Sequence, residues 1–218
     1  MIAGFISKRR APKSREAYES IGGGSPILKY SNEQANLLRE SLKKRYDLDV
    51  KTYIGMRYWY PFTEEALQQI QKDKIQALVI LPLYPQFSIS TSGSSLRVLQ
   101  EEFSKNMQKY GDMVHTVISS WYQRKGYVRA MAALIEKELN SFTPEQIAEA
   151  KEVAPDLAPL HILFSAHGVP QSYIEAGDPY QKQIEACVEG IANEIKNDKV
   201  QVHLSYQSRV GVSEKVLS

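Results

Sequence analysis

Cysteine is nearly missing from this sequence: Cys187 stands alone among 218 residues. One thiol cannot close an intramolecular disulfide or supply a four-thiolate cluster. A secreted disulfide scaffold and a Cys-held iron–sulfur centre within one chain are therefore excluded. Long apolar runs are missing too, none approaching the roughly 18–20 residues of a membrane span. Charge of one sign is not in excess: 27 Lys and Arg face 25 Asp and Glu, a formal net charge of +2. That balance gives no electrostatic reason to expect nucleic acid or an anionic membrane as partner. No internal repeat or low-complexity tract stands out. The start, Met1 to Arg10, is too short and too quickly basic for a signal peptide, so the chain reads as soluble and without a targeting segment of its own. What is present is ordinary globular composition, 43% hydrophobic and 24% charged, which argues against wholesale disorder.

Helical and strand-like patterns alternate along the chain. Ala35, Leu38, Leu42 and Tyr46 share a helical face over residues 31–46, with Ser31 placed to cap it. Residues 49–56 alternate like a strand. Pro61 and Thr63 open a helix through Ile70, with Glu64 and Glu65 in its first turn. The run 77–81 (ALVIL) fits a strand buried on both faces. A helix marked by Leu96, Leu99, Phe103 and Met107 follows, then a strand over Val114–Ile118. The next helix carries Tyr127, Met131, Leu134, Ile135 and Leu139. Residues 143–160, with Pro144, Pro155 and Pro159, read as a helical excursion plus linker. A buried strand over His161–Phe164, a helix with Ile184, Cys187, Val188, Ile191 and Ile195, and an alternating strand through Val200, Val202, Leu204 and Tyr206 complete the pattern. Strands separated by helices in this way predict a parallel sheet with helices on both faces. Ligands of such sheets sit beyond the carboxyl ends of the strands, which points to the loops after Leu81, Phe164 and Tyr206.

Four segments carry chemistry, three of them in those loops. Ser165-Ala166-His167-Gly168-Val169-Pro170 puts an imidazole at a strand end, where it can act as a base or ligate a borderline metal ion. A loop histidine satisfied by backbone is the plainer alternative. His115, His161 and His203 lie inside predicted strands and read as structural, so a zinc site built wholly of protein ligands is not expected. Ile21-Gly22-Gly23-Gly24-Ser25-Pro26, preceded by Arg9, Arg10 and Tyr18, can aim backbone N–H groups and guanidinium forks at carboxylates. It can equally be a flexible linker. The stretch from Leu83 and Tyr84 through Phe87 to Ser95 ends at a helix start, where its hydroxyls can hold an anion or simply cap the helix. Arg209 of Tyr206-Gln207-Ser208-Arg209 can face a ligand carboxylate or form a structural ion pair.

Taken together, RRAPKSREAYESIGGGSPI, GMRYWYPFTEEAL, LPLYPQFSISTSGSSL, ILFSAHGVP, GDPY and YQSRVG resemble ferrochelatase, in collinear order from about Arg9 to Gly211. The likeness is to the type found in plastids and cyanobacteria. It implies a chelatase-like α/β fold of two similar Rossmann-like domains with doubly wound parallel sheets and a porphyrin cleft between them. It also implies insertion of Fe(II) into protoporphyrin IX, with iron a substrate, no permanently bound cofactor and no iron–sulfur cluster. His167 matches the family's active-site histidine, assigned there to proton abstraction or metal ligation. Arg10, Tyr18 and Ser25 match porphyrin-contacting positions, through propionate pairing, ring contact and loop hydrogen bonding. Arg9 and Tyr84 are further substrate-binding candidates, and Trp121 and Tyr122 plausible pocket aromatics. A plastid location follows from the family type. Nucleic acid is not an expected partner, a transmembrane segment is not expected, and peripheral membrane association is compatible with the family.

Measured against that family, the chain reads as shortened at both ends. The expected domains are residues 1–142, lacking a first strand, a linker over 143–160, and a partial second domain over 161–218 carrying His167. The family's His-Ile-Glu-Thr-Leu type motif, whose glutamate opposes the histidine, has no counterpart. An active enzyme then needs another acid, and Glu175 and Asp178 are the nearest after His167. The alternatives are a porphyrin- or haem-binding protein without turnover, or a fragment without function.

Overall fold

The computed structural model describes residues 11–207 apart from 13 and 198. Arg9, Arg10 and Arg209 lie outside the described residues. Contacts gather the chain into two compact units, 1–74 and 75–218. The expected boundary at 143–160 falls inside the second of these.

In the first unit a helical stretch over 14–19 ends in the glycine run. Gly23 N–H reaches Tyr18 O at 2.8 Å and Gly22 N–H reaches Glu19 O at 3.2 Å. This is a Schellman stop, with Gly22 at φ 104°, a conformation that costs glycine little. Helix α1 follows over Ile27–Tyr46, beginning four residues before the expected start. Ser31 is therefore not a cap: it lies buried within the helix. The expected apolar stripe is incompletely covered, with Leu38 and Tyr46 both exposed. Helix α2, Thr63–Lys72, forms as predicted and buries Leu67 and Ile70. Its first turn is tied by the Phe62 N–H donating to Glu65 Oε2 at 2.7 Å.

The expected strand over 49–56 is reduced to one parallel bridge, Met56 to Phe62. Alternation alone does not make a strand; a ladder partner is needed for its N–H and C=O groups. Behind it, Tyr53 donates to Asp73 at 2.6 Å. That bond, with Lys51 at 3.2 Å, holds the Asp73 carboxyl below its ordinary range.

Among the described residues, the second unit contains two parallel strand pairs. Strand β1, Ala77–Ile80, pairs with β2, Val114–Val117. Between them run α3, Ser92–Lys105, and the short α4, Met107–Tyr110. Helix α5, Lys125–Leu139, and α6, Pro144–Val153, lead to β3, Leu160–His167. The short α7, Gln171–Glu175, and α8, Tyr180–Glu194, return the chain to β4, Val200–Gln207. The β3–β4 ladder runs rung by rung from Leu160↔Val200 to His167↔Gln207. Parallel strands need such helical crossovers, so the mixed α/β class follows from the connections.

Burial departs from expectation. Strand β1 is not covered on both faces, for Val79 is exposed, and β2 is exposed throughout. Strand β3 is four residues longer than predicted, one at its start and three at its end, and alternates, one face inward and one outward. The inward face meets the core: Val128 and Ala132 of α5 against Cys187 and Ile191 of α8, with Phe164 packed on them. Burial pushes the Cys187 thiol up, as befits a core residue rather than a reactive one.

Residues 143–160 hold α6 and a tail pinned to it. Thr143 Oγ1 accepts from the Gln146 N–H at 3.3 Å, while Gln146 Oε1 accepts from the Thr143 N–H at 2.8 Å. Lys151 Nζ donates to the carbonyls of Pro155 and Leu157. This capping box satisfies helix donors that would otherwise lack partners. Thr143→Ala is expected to cost about 1 kcal/mol. Amide exchange in the first turn of α6 checks it, with faster exchange there and none at β3.

Candidate active site

His167 is the last residue of β3, not a residue of the loop beyond it. Two features fix its backbone. It is paired in register with Gln207. The next residue, Gly168, donates its N–H to the Gln207 carbonyl at 2.7 Å. Burial pushes the pKa of the Tyr180 hydroxyl up, against an opposing pull from the His167 backbone. Gly168 and Val169 are buried immediately after it. The imidazole itself lies on the exposed face of the strand, sharing that face with His161, Leu163 and Ser165. A side chain held so firmly at its root and open at its tip can reach a ligand without losing its position.

The loop following β1 is bound to the same strand-end region through Asp178. The Asp178 carboxylate is buried and accepts from Ser88 Oγ at 2.9 Å, from the Ile89 N–H at 2.8 Å and from the Tyr180 N–H at 3.0 Å. Phe87 N–H adds a bond to Gln183 Oε1 at 2.7 Å. The hydroxyl-rich loop before α3 thus receives an anion, and this chain supplies it. Tyr84 stands on that loop, partly exposed. Trp121 braces the loop, its indole N–H donating to Pro82 O and its backbone N–H to Pro85 O, both at 2.8 Å. Tyr122 packs against the α5–α8 core.

Tyr18 and Ser25 belong to the first unit and are exposed there. The N–H groups of Gly22 and Gly23 are engaged by helix carbonyls, so they do not form an anion nest. Ser25 Oγ accepts from the Ile27 N–H at 3.4 Å, next to the start of α1. His167 and Tyr84 belong to the second unit, with Asp178 tying the Tyr84 loop to the start of α8.

The two candidate acids are placed differently. Asp178 is buried in its three bonds, and Glu175 is exposed on α7. Among the described residues, no three His, Cys, Asp or Glu side chains converge as a metal site. The other three histidines lie within strands, as expected. His161 and His203 are exposed and hydrogen-bonded to each other, and His115 is exposed with Nδ1 3.1 Å from Met113 O. The role of Asp178 as a clamp had only a local signal, an acid just ahead of a helix. Its partners ninety residues away in sequence were not readable.

A family model described as ferrochelatase matches residues 1–215. The chain belongs to the ferrochelatase family. It is 56% identical over 216 residues to the chloroplastic/mitochondrial ferrochelatase-1 of Arabidopsis thaliana, covering 96% of this chain and 43% of that protein. It is 52% identical to the chloroplastic ferrochelatase-2 of Oryza sativa subsp. japonica, covering 98% of this chain and 38% of that one. The ferrochelatase of Synechocystis sp. is 52% identical over 98% of this chain and 51% of its own length. The chain thus spans about half or less of these ferrochelatases. The mixed helix and parallel-strand architecture agrees with the chelatase-like fold. Among the described residues, no helix is long and apolar enough to cross a membrane.

Proposed function

We propose that this chain acts in ferrochelatase chemistry, binding protoporphyrin IX and placing His167 at the ring for insertion of Fe(II). The observation that carries the reading is the rooting of His167 at the last rung of β3, with its side chain on the open face. A porphyrin is an apolar plate with carboxylates along one edge. It suits a slot with a few placed polar groups. Metal insertion removes two pyrrolic protons, and a neutral imidazole near the ring centre can accept one or ligate the entering ion. Iron is substrate here, with no resident cofactor. Tyr18, Ser25 and Tyr84, with Arg9 and Arg10, are the proposed porphyrin contacts. The plastid is the proposed location, as in the names of the plant relatives, with membrane contact at most peripheral.

A second reading, porphyrin binding without turnover, is favoured by one observation: Asp178, one of the two candidate acids, is held in structural bonds. Anaerobic incubation of the purified chain with Fe(II) and protoporphyrin IX separates the two. The expected result is haem, followed by absorbance, with saturable quenching of porphyrin fluorescence. Quenching without haem selects the binder, and the loss of both sinks the proposal.

A further inference from the structure

The outer face of the β3–β4 ladder carries a feature that the chemistry at His167 does not use. His161 of β3 and His203 of β4 are diagonal neighbours, since His161 is level with Gln201 and His203 with Leu163. Nδ1 of His161 lies 2.9 Å from Nε2 of His203. The ring centroids are 5.1 Å apart and the planes differ by 26°. The nitrogen separation takes up most of the centroid distance, so the rings meet end to end rather than face to face. Both side chains are exposed. Beside His161 opens a groove of about 430 Å³, lined also by Gln146, Glu149, Ala150 and Val153 of α6.

We propose that His161 and His203 form a two-imidazole binding site for a divalent transition ion of the copper, nickel and zinc class, separate from His167. Two facing imidazole nitrogens on neighbouring strands are a ready bidentate set, and imidazole suits these ions. Bound at right angles with bonds of about 2.0–2.1 Å, two nitrogens sit about 2.9 Å apart. The spacing of the free pair is already that of cis ligands, which favours tetragonal copper(II) or nickel(II). In the metal-free pair one facing nitrogen carries the proton of an N–H···N bond. On binding, that proton passes through water to the other nitrogen of the same ring. Both lone pairs, which face each other in the free pair, then turn by about 45° toward the ion, through rotation of two exposed side chains. Glu149 in the adjoining groove adds negative charge, and water fills the remaining positions.

The site cannot share its ion with His167. The two β3 histidines are six residues apart on one strand, about 20 Å at 3.3 Å per residue.

The experiment titrates the purified chain with copper(II) alone, following electron paramagnetic resonance and calorimetry. The wild-type chain is expected to take up a first equivalent with nitrogen coupling in its spectrum. His203→Gln and His161→Gln should each weaken that equivalent at least tenfold, while His167→Ala leaves it unchanged. Circular dichroism confirms that each variant is folded. Unchanged affinity and spectrum in the His203→Gln and His161→Gln chains overturn the site. Loss of the first equivalent in His167→Ala overturns its independence.

Discussion

His167→Ala is expected to lower haem formation by about 10²–10⁴-fold, the range for loss of a positioned proton-transfer group. Porphyrin affinity should change little, because His167 is one contact among several proposed ones. Stability should change little too. The side chain lies on the exposed face of β3, and surface substitutions away from special features usually stay within about 0.5 kcal/mol. The backbone bond from Gly168 to Gln207 and the β3–β4 register survive the change. Fluorescence titration, urea unfolding and anaerobic turnover, run on one preparation, read the three quantities apart. A variant that turns over at the wild-type rate removes His167 from the chemistry. One that unfolds at lower urea makes it a structural residue.

Asp178→Ala carries the largest expected effect on stability. Its carboxylate answers two backbone N–H groups and the Ser88 hydroxyl, and Ser88 is fully buried. Hydrogen bonds to a charged group contribute about 1.5–3 kcal/mol, and donors left buried without partners cost about 1–3 kcal/mol. A loss of about 3 kcal/mol is the expected sum after relaxation. Asp178→Asn keeps an acceptor oxygen and should lose about half as much. Distribution of the effect is the sharper test. Proteolysis and amide exchange should accelerate first at residues 82–92, the loop that bears Tyr84, before the α5–α8 core opens. Uniform loosening of the whole unit would mean that the loop and the core unfold together, against the reading of Asp178 as a local clamp.

What the sequence made legible follows a simple physical line. Strand β4 was readable because Val200, Val202, Leu204 and Tyr206 face the packed side while their neighbours face outward. That asymmetry writes itself into the residues as alternation. Helix α8 was readable because Cys187 and Ile191 of its expected stripe are the residues that the core buries. Helix α5 was read from Tyr127, Met131 and Ile135, which pack against that core, while Val128 and Ala132 build it and Leu134 is exposed. Strand β1 misled for the converse reason: a continuous apolar run signals two covered faces, yet Val79 is exposed. Residues 49–56 show that periodicity proposes a strand but a partner completes it. Ser31 was a cap by type and a buried helix residue by position, because Ile27–Tyr30 wind into the helix without joining the expected stripe. At the site, His167 was legible as a strand-end imidazole. The Asp178 clamp and the His161–His203 pair depend on strands and loops brought together over long separations. A residue-by-residue reading cannot supply those meetings.

The alternation of β3 has a consequence for how such a chain can change length. His167 and Phe164 stand on the same strand with opposite parity, one outward and one in the core. Removing or adding a single residue between them would exchange the two sides, sending the imidazole inward and an apolar group out. A change of two residues would keep the sides but shift the rung at which the imidazole meets Gln207. The reactive position is therefore bound to the packing by an odd–even rule. Insertions and deletions are expected to be tolerated best in segments such as 154–159, where no ladder counts them. In this stretch of chain the arithmetic of folding and the placement of chemistry are one constraint.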